Sequence, residues 1–378
     1  MIIGTIKEVK DNENRVGLTP LSVIALKHAG HQVFVEAGAG VNAGFPDADY
    51  KKAGAKLVSK KEVFQCADIL IKVKELIQQE YPLIPFLKNK ILFTYLHLAA
   101  VDPQLTQLLV QHKVTAIAYE TVEKGEELPL LKPMSEVAGV LAVQYGAQYL
   151  QKKYHGRGIT LGTIAHTTPA EVVVLGGGTV GYTASRTALG LGCNVTIIQR
   201  RTSKRKEIKA QLVKDLGFLA QHATLLDSTP KLIAHATQKA DLIVGAVLVR
   251  GAKAPQLVSQ SMVKAMKQGT VIVDVAIDQG GCIWGSKATS HSDPIYEKEG
   301  KVYCCIPNMP GQAALQSTEA LTYATLPYLL KLAKGGVSAL KHDPGFLKGL
   351  NTYQGKITYE AVAKDLGLMQ YYTSRPSL

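Results

Sequence analysis

A few side chains in this sequence have types and positions suited to work on a small charged molecule. Arg15 lies in "KDNENR", the loop after a first strand-like segment, while Lys72 and Lys74 close "DILIKVKE" and Tyr95 and His97 close "ILFTYLHL". Each of these pairs is spaced by two, which puts both members on one face of a strand. "VIVDVAIDQGG" carries Asp274 and then Asp278 in the turn that follows. Ligands of open α/β sheets sit beyond the carboxyl ends of the strands, where all of these residues fall. Arginine and lysine bind a small carboxylate, histidine with an ordinary pKa of about 6.5 serves as acid or base, and an aspartate orients the histidine or a water. Taken singly, a strand-end lysine is a solvated group and a histidine among leucines a satisfied core residue. Together they suit hydride transfer at a carbon α to a carboxylate.

A second constellation supplies the place for a dinucleotide. "VVVLGGGTVG" (172–181) holds Gly176, Gly178 and Gly181 as G-x-G-x-x-G, with Thr179 and Val180 inside the turn. An apolar strand precedes it, a helix-competent run follows, and "NVTII" completes a βαβ unit. The first glycine permits the tight turn, the second lets a pyrophosphate reach the backbone, and the third lets helix and strand pack closely with phosphate at the helix N-terminus. A carboxylate at the end of the second strand would take the ribose hydroxyls, and an arginine there would accommodate a 2′-phosphate. The chain has Gln199, Arg200 and Arg201 instead. Either Gln199 bonds the ribose hydroxyls while the arginines stay solvated, which favours NAD, or the arginines pair with a phosphate and admit NADP.

The elements that must position these groups read as repeated strand and helix. "TPLSVIALKHAG" is a helix with Thr19 before Pro20 at its start and Gly30 at its stop. Strands are predicted at "ADILIKVK" (67–74), "KILFTYLHL" (90–98), "VTAIAYETV" (114–122), "ADLIVGAVL" (240–248) and "GTVIVDVAID" (269–278). A long amphipathic segment at 133–154 joins two domains, and an apolar helix at 317–336 returns the chain to the first. The expected architecture is α/β, with two doubly wound Rossmann-like domains of parallel sheets joined by long helices and the active site in the interdomain cleft. The length of 378 residues exceeds one ordinary core. Apolar runs are too short to span a membrane and no signal peptide opens the chain, so a cytoplasmic protein without a membrane partner is expected. The formal charge of +13 is spread along the chain without interleaved aromatics, which argues against nucleic acid. Cys66, Cys193, Cys282, Cys304 and Cys305 have no metal-ligand spacing, so reduced thiols and no metal are expected.

The chain resembles the alanine dehydrogenase and pyridine nucleotide transhydrogenase α-subunit family along nearly its whole length. The likeness rests on "KEVKDNENRVGLTP" (7–20), "LFTYLHLA" (92–99), "KPMSEVAG" (132–139), "GGGTVG" (176–181), "GAVLVRGAKAP" (245–255), "VDVAIDQGG" (273–281), "NMPG" (308–311) and "GLNTYQGKITYEAVAKDLGL" (349–368). It implies reversible NAD-linked oxidative deamination of L-alanine to pyruvate and ammonia. It places Arg15 and Lys74 at the substrate carboxylate, His97 and Asp278 at the chemistry, and Ser135, the glycine turn, Val247, Leu248 and Asn308 near the cofactor. It also implies a homo-hexamer and an interrupted substrate domain, 1–128 plus 308–378, around a dinucleotide domain, 129–307. The chain departs from the family pattern at Gln199, where an aspartate is usual, at Ala314 and Leu315, where a proline-basic pair is usual, and in the hinge "GTIAHTTPAE" (162–171). The alternatives are a transhydrogenase-like nucleotide-binding protein and a non-catalytic NAD-binding relative.

Overall fold

A computed structural model describes residues 1–249 and 253–374. Residues 250–252 of "GAVLVRGAKAP" lie outside the described residues. The chain divides into two compact units, Met1–Met134 with Gly311–Leu378, and Ser135–Pro310. The boundaries fall within the helix Lys132–Tyr149 and the 3-10 turn Met309–Gln312.

The strands are β1 (Ile2–Thr5), β2 (Gln32–Glu36), β3 (Lys56–Val58), β4 (Ile69–Ile71), β5 (Ile91–Thr94), β6 (Thr115–Ala118), β7 (Glu171–Leu175), β8 (Asn194–Ile198), β9 (Ala223–Leu226), β10 (Leu242–Gly245), β11 (Val271–Asp274), β12 (Tyr296–Lys298), β13 (Lys301–Cys304), β14 (Leu350–Tyr353) and β15 (Lys356–Ile357). The first unit has an eight-stranded sheet ordered β15-β14-β6-β5-β4-β1-β2-β3, and the second a seven-stranded sheet ordered β12-β13-β11-β10-β7-β8-β9. Both centres are parallel and doubly wound, with the order reversing at β1/β4 and at β7/β10. Every residue of β4, β5, β6, β10 and β11 is buried, which is why these segments read as unbroken apolar runs. The helix Pro20–His28 starts where expected, with the Thr19 hydroxyl accepting the Ser22 N–H at 3.2 Å and Pro20 in the first turn. Gly30 follows in the left-handed region at φ 84°.

Two features differ from the sequence reading. The sheets are mixed, because β12, β14 and β15 pair antiparallel at the edges. Their hairpins turn through Glu299-Gly300 and Gln354-Gly355, all at positive φ, as a two-residue turn that matches strand twist requires. Glu-Gly and Gln-Gly are weak hairpin signals beside Asn-Gly, so local sequence does not announce these edges. The strands also stop earlier than the apolar runs: β4 ends at Ile71 and β5 at Thr94. Lys72 and Tyr95 make the last inter-strand bonds, to the Phe93 and Val73 carbonyls at 3.2 Å each, and Lys74 and His97 lie beyond them, where alternation no longer dictates facing.

Candidate active site

The crevice beyond a reversal point is where an open α/β sheet receives its ligand. In the first unit, the loop after β1 carries Arg15 and the segment after β4 carries Lys74. Gly17 helps seat that loop, since a Cβ there would lie 2.8 Å from the Ile71 carbonyl oxygen. On the other side the Val16 N–H donates to the Thr318 hydroxyl at 3.3 Å, from the helix Ala314–Gly335.

Arg15 is buried, and its guanidinium meets Glu13 edge to edge, with Nε to Oε1 at 2.6 Å and Nη2 to Oε2 at 2.5 Å. Nη1 reaches the Met134 sulfur at 2.8 Å. Burial opposes the charge, but the hydrogen bonds and charge of Glu13 outweigh it and raise Arg15 above its ordinary range. Lys74 is half-buried, and burial together with the neighbouring Arg15 cation lowers it below an ordinary lysine. Its backbone is held on both sides: the Glu8 carboxylate accepts the Val73 N–H at 2.7 Å, and the Thr94 hydroxyl donates to the Lys74 carbonyl at 2.9 Å. Lys72, paired with Lys74 on sequence spacing, does something else. It is buried in an ion pair with Glu8 at 2.8 Å and Glu80 at 3.5 Å, which hold its cation against burial.

His97 sits three residues past β5 with φ 47°, a left-handed conformation uncommon for residues other than glycine. Its ring stacks on Tyr95 with centroids 5.8 Å apart. Tyr95 is buried, its hydroxyl donates to the Leu130 carbonyl at 2.6 Å, and it lies within the field of Arg15. Glu120, just past the neighbouring strand β6, accepts the His97 N–H at 2.6 Å.

In the second unit the shape of the glycine turn suits a dinucleotide. A Cβ on Gly181 would stand 1.8 Å from the Gly176 oxygen, and one on Gly176 would stand 2.5 Å from the Ala246 oxygen. A Cβ on Gly178 would meet nothing within 4 Å. Two glycines are thus demanded by packing, and the third stands beside open space. Gly178 caps the helix Thr179–Gly190 without a side chain, so the first N–H groups stay accessible to an anion. The residues fit a pyrophosphate. Gln199 is half-buried beside the turn, its side-chain oxygen accepting the Arg201 N–H at 3.3 Å, while Arg200 and Arg201 are exposed. Arg205, not singled out from sequence, clamps this strand end by donating to the Gln199 carbonyl at 2.6 Å and to Asp227 at 3.1 Å.

Of the two aspartates, Asp274 is fully buried and structural. It accepts from Ala276 N, Cys282 N, Ile283 N and the Ser286 hydroxyl, and so shapes the turn that bears Asp278. Asp278 is exposed in the 3-10 turn Val275–Gln279. The adjacent Gln279 side chain donates to the Val249 carbonyl at 2.7 Å and accepts its N–H at 3.0 Å, tying this turn to the segment with Val247 and the exposed Leu248. Ser135 is half-buried near the start of its helix, and Asn308 has φ 58°. A cleft of about 710 Å³ lined by Arg157, Thr167, Asp241 and Lys267 includes none of these residues and opens at the amino ends of the strands. Among the described residues no cluster of His, Cys, Asp and Glu could hold a metal ion, and no helix is long and apolar enough to cross a membrane. The five cysteines are free, and all but Cys66 are buried.

Comparison with known proteins settles the lineage. Residues 4–138 match the family described as "Alanine dehydrogenase/PNT, N-terminal domain", and residues 142–360 match "Alanine dehydrogenase/PNT, C-terminal domain". The chain belongs to the alanine dehydrogenase/PNT family. It is 50% identical over 368 residues to the alanine dehydrogenase of Methanococcus maripaludis, covering 96% of each chain. A solved L-alanine dehydrogenase superposes with a TM-score of 0.90 at 46% identity, covering 97% of this chain and 99% of that one. A transhydrogenase from Sinorhizobium meliloti superposes with a TM-score of 0.80 at 25% identity, covering 96% and 100%. Within the alanine dehydrogenase/PNT frame, the sequence reading missed the carboxylates that fix the unit's cations and its histidine: Glu8, Glu13 and Glu120. The signal existed for Glu120, which ends an apolar strand just as His97 does. It existed for Glu13 too, which stands two residues before Arg15, whereas Glu8 offered none, because only folding brings it to the backbone of Val73.

Proposed function

We propose that this chain is an L-alanine dehydrogenase, an NAD-linked oxidoreductase acting on a CH–NH2 group and converting L-alanine reversibly to pyruvate and ammonia. One observation carries the reading: two cations, Arg15 and Lys74, stand within each other's field beyond the reversal point of the first sheet, and the Tyr95 ring stacked on His97 also feels Arg15. Glu13 already balances the charge of Arg15, so the cation left for an anionic ligand is Lys74, beside an arginine whose orientation is fixed, and an amino-acid carboxylate is of the right size and charge.

In this reading Arg15 and Lys74 hold the alanine carboxylate. The pyridine nucleotide supplies, when bound, the acceptor that oxidises the amino acid to its imine. Gly176, Gly178, Thr179, Val180 and Gly181 would cradle its pyrophosphate, with Ser135, Gln199, Arg200, Val247, Leu248 and Asn308 as further contacts. His97 takes a proton from the water that adds to the imine carbon, and returns a proton to the nitrogen as the carbinolamine collapses to pyruvate and ammonia. Asp278 is the second catalytic residue of the proposal, on the family likeness. NAD is the expected nucleotide, with NADP admitted only if the exposed Arg200 and Arg201 take up its extra phosphate. A cytoplasmic homo-hexamer belongs to the same proposal, on the family likeness.

The test is the initial rate of NAD and of NADP reduction with L-alanine at alkaline pH, together with ammonia-dependent NADH oxidation by pyruvate. Alanine-dependent reduction supports the dehydrogenase. Its absence in folded protein, alongside exchange of hydride between two nucleotides, would favour the transhydrogenase-like reading to which the fold likeness at a TM-score of 0.80 also points.

A further inference from the structure

We infer that Glu120 is a positioning residue for His97: it locks the histidine backbone and selects the ring tautomer that leaves Nε2 as the proton acceptor. The inference rests on the assignment of His97 to proton transfer in the proposed reaction.

Glu120 lies on the 3-10 turn Tyr119–Thr121, immediately after β6 and beside the end of β5. The turn is firmly seated. Tyr119 is buried, packs edge-on against Phe93 at 4.5 Å and Tyr95 at 5.0 Å, and donates its hydroxyl to the Lys72 carbonyl at 3.0 Å. From that base the Glu120 carboxylate takes two consecutive backbone donors, Leu96 N at 3.2 Å to each oxygen and His97 N at 2.6 Å to Oε1. Consecutive N–H groups converging on an anion form a nest, the conformation in which a left-handed residue is stabilised by what it binds. His97 is the left-handed member, at φ 47°. The carboxylate on its N–H, together with the Ala100 N–H that donates to its carbonyl at 2.7 Å, holds His97 in that conformation.

The same oxygen faces the ring. Glu120 Oε1 is 3.8 Å from His97 Nδ1, within ion-pair range though longer than a hydrogen bond. An ionised carboxylate only accepts, so the nitrogen turned toward it is favoured as the N–H, and Nε2 keeps its lone pair. When Nε2 takes the proton of the attacking water, the imidazolium forms beside a carboxylate already held in place by two backbone donors. With Tyr95 stacked on it, the ring has a defined plane, tautomer and counter-charge.

The experiment uses the full chain with 15N-labelled histidine, with the His97 signal assigned by its loss in His97→Gln. The wild type is expected to show the Nδ1-protonated neutral tautomer. Glu120→Ala should shift it toward Nε2–H and lower kcat by about a hundredfold, the usual worth of a positioned acid–base group, with alanine KM changed by less than about threefold. Glu120→Gln keeps an acceptor oxygen and loses the charge, so the tautomer should persist while kcat falls roughly tenfold. Should the alanine variant not fold, a Glu120→Gln enzyme with wild-type kcat overturns the inference by itself. A fall in kcat with an unchanged tautomer in Glu120→Ala also overturns it, because Glu120 would then act by another route. A changed tautomer with undiminished turnover supports the coupling and overturns instead the role of His97 in the reaction.

Discussion

Arg15 and Glu13, two residues apart in the chain, form a buried two-pronged ion pair in which Nε meets Oε1 at 2.6 Å and Nη2 meets Oε2 at 2.5 Å. The proposed substrate-binding arginine thus has its orientation set from inside the protein. Removing one partner of a buried pair strands the other charge, so Glu13→Ala should cost about 3–5 kcal/mol of stability. Replacing both partners by apolar residues of similar size, as in Glu13→Leu with Arg15→Met, should recover most of that loss while alanine turnover stays abolished. Urea midpoints and kcat/KM on the three proteins check this. A double variant no more stable than Glu13→Ala would refute the isolated-charge account.

In the proposed reaction Lys74 would set an alkaline limit. Burial and then the Arg15 cation lower it from the ordinary 10.5, so it discharges at lower pH than a solvated lysine. In the window between that lowered value and 10.5 the unfolded chain binds more protons than the folded one, so Lys74 makes stability rise with pH there. Carboxylate affinity moves the other way and is lost as the cation discharges. The inhibition constant of propionate, which has no amine to titrate, should therefore rise with pH across this window. Lys74→Arg should hold affinity to higher pH, and Lys74→Ala should weaken it by about 10- to 100-fold at neutral pH. A propionate constant independent of pH in the wild type would remove Lys74 from the carboxylate site.

Two roles within the glycine turn, close packing and phosphate approach, separate by substitution. In Gly181→Ala the new Cβ would stand 1.8 Å from the Gly176 oxygen, so both thermal stability and NADH binding should fall. In Gly178→Ala the Cβ meets no protein atom within 4 Å and φ is −74°, which alanine adopts freely. That variant should keep its Tm and lose nucleotide affinity, as read by NADH fluorescence titration. Undiminished affinity in Gly178→Ala would mean that no pyrophosphate approaches there.

Cofactor choice turns on the end of β8. Gln199→Asp supplies the carboxylate that favours unphosphorylated ribose and repels a 2′-phosphate, so it should widen NAD preference by about tenfold or more. Arg200→Ala should leave NAD turnover within about twofold, since an exposed arginine with no nucleotide phosphate to meet contributes little. If Arg200→Ala lowers NADP turnover selectively, the arginine is a phosphate ligand after all.

His97→Ala should abolish alanine turnover while NADH binding persists, since its ring belongs to the first unit and the glycine turn to the second. Full activity in that variant would remove His97 from the chemistry.

Much of this protein is written locally in its sequence. Apolar runs announce the buried central strands, Thr19 and Pro20 announce a helix start, and G-x-G-x-x-G between strand and helix announces a dinucleotide turn, because each depends on contacts within a few residues. Arg15, Lys74, His97 and Asp278 were legible as polar residues beyond strand ends. Local pattern could not separate Lys72 from Lys74 or Asp274 from Asp278. The first of each pair is buried against partners distant in sequence, Glu8 for Lys72 and Ser286 with the 282–283 backbone for Asp274. Nor could it reveal that Glu120 holds His97, since the two meet only because β6 lies beside β5. Which charges face a ligand and which face one another is decided by strand order, and strand order is a property of the assembled sheet.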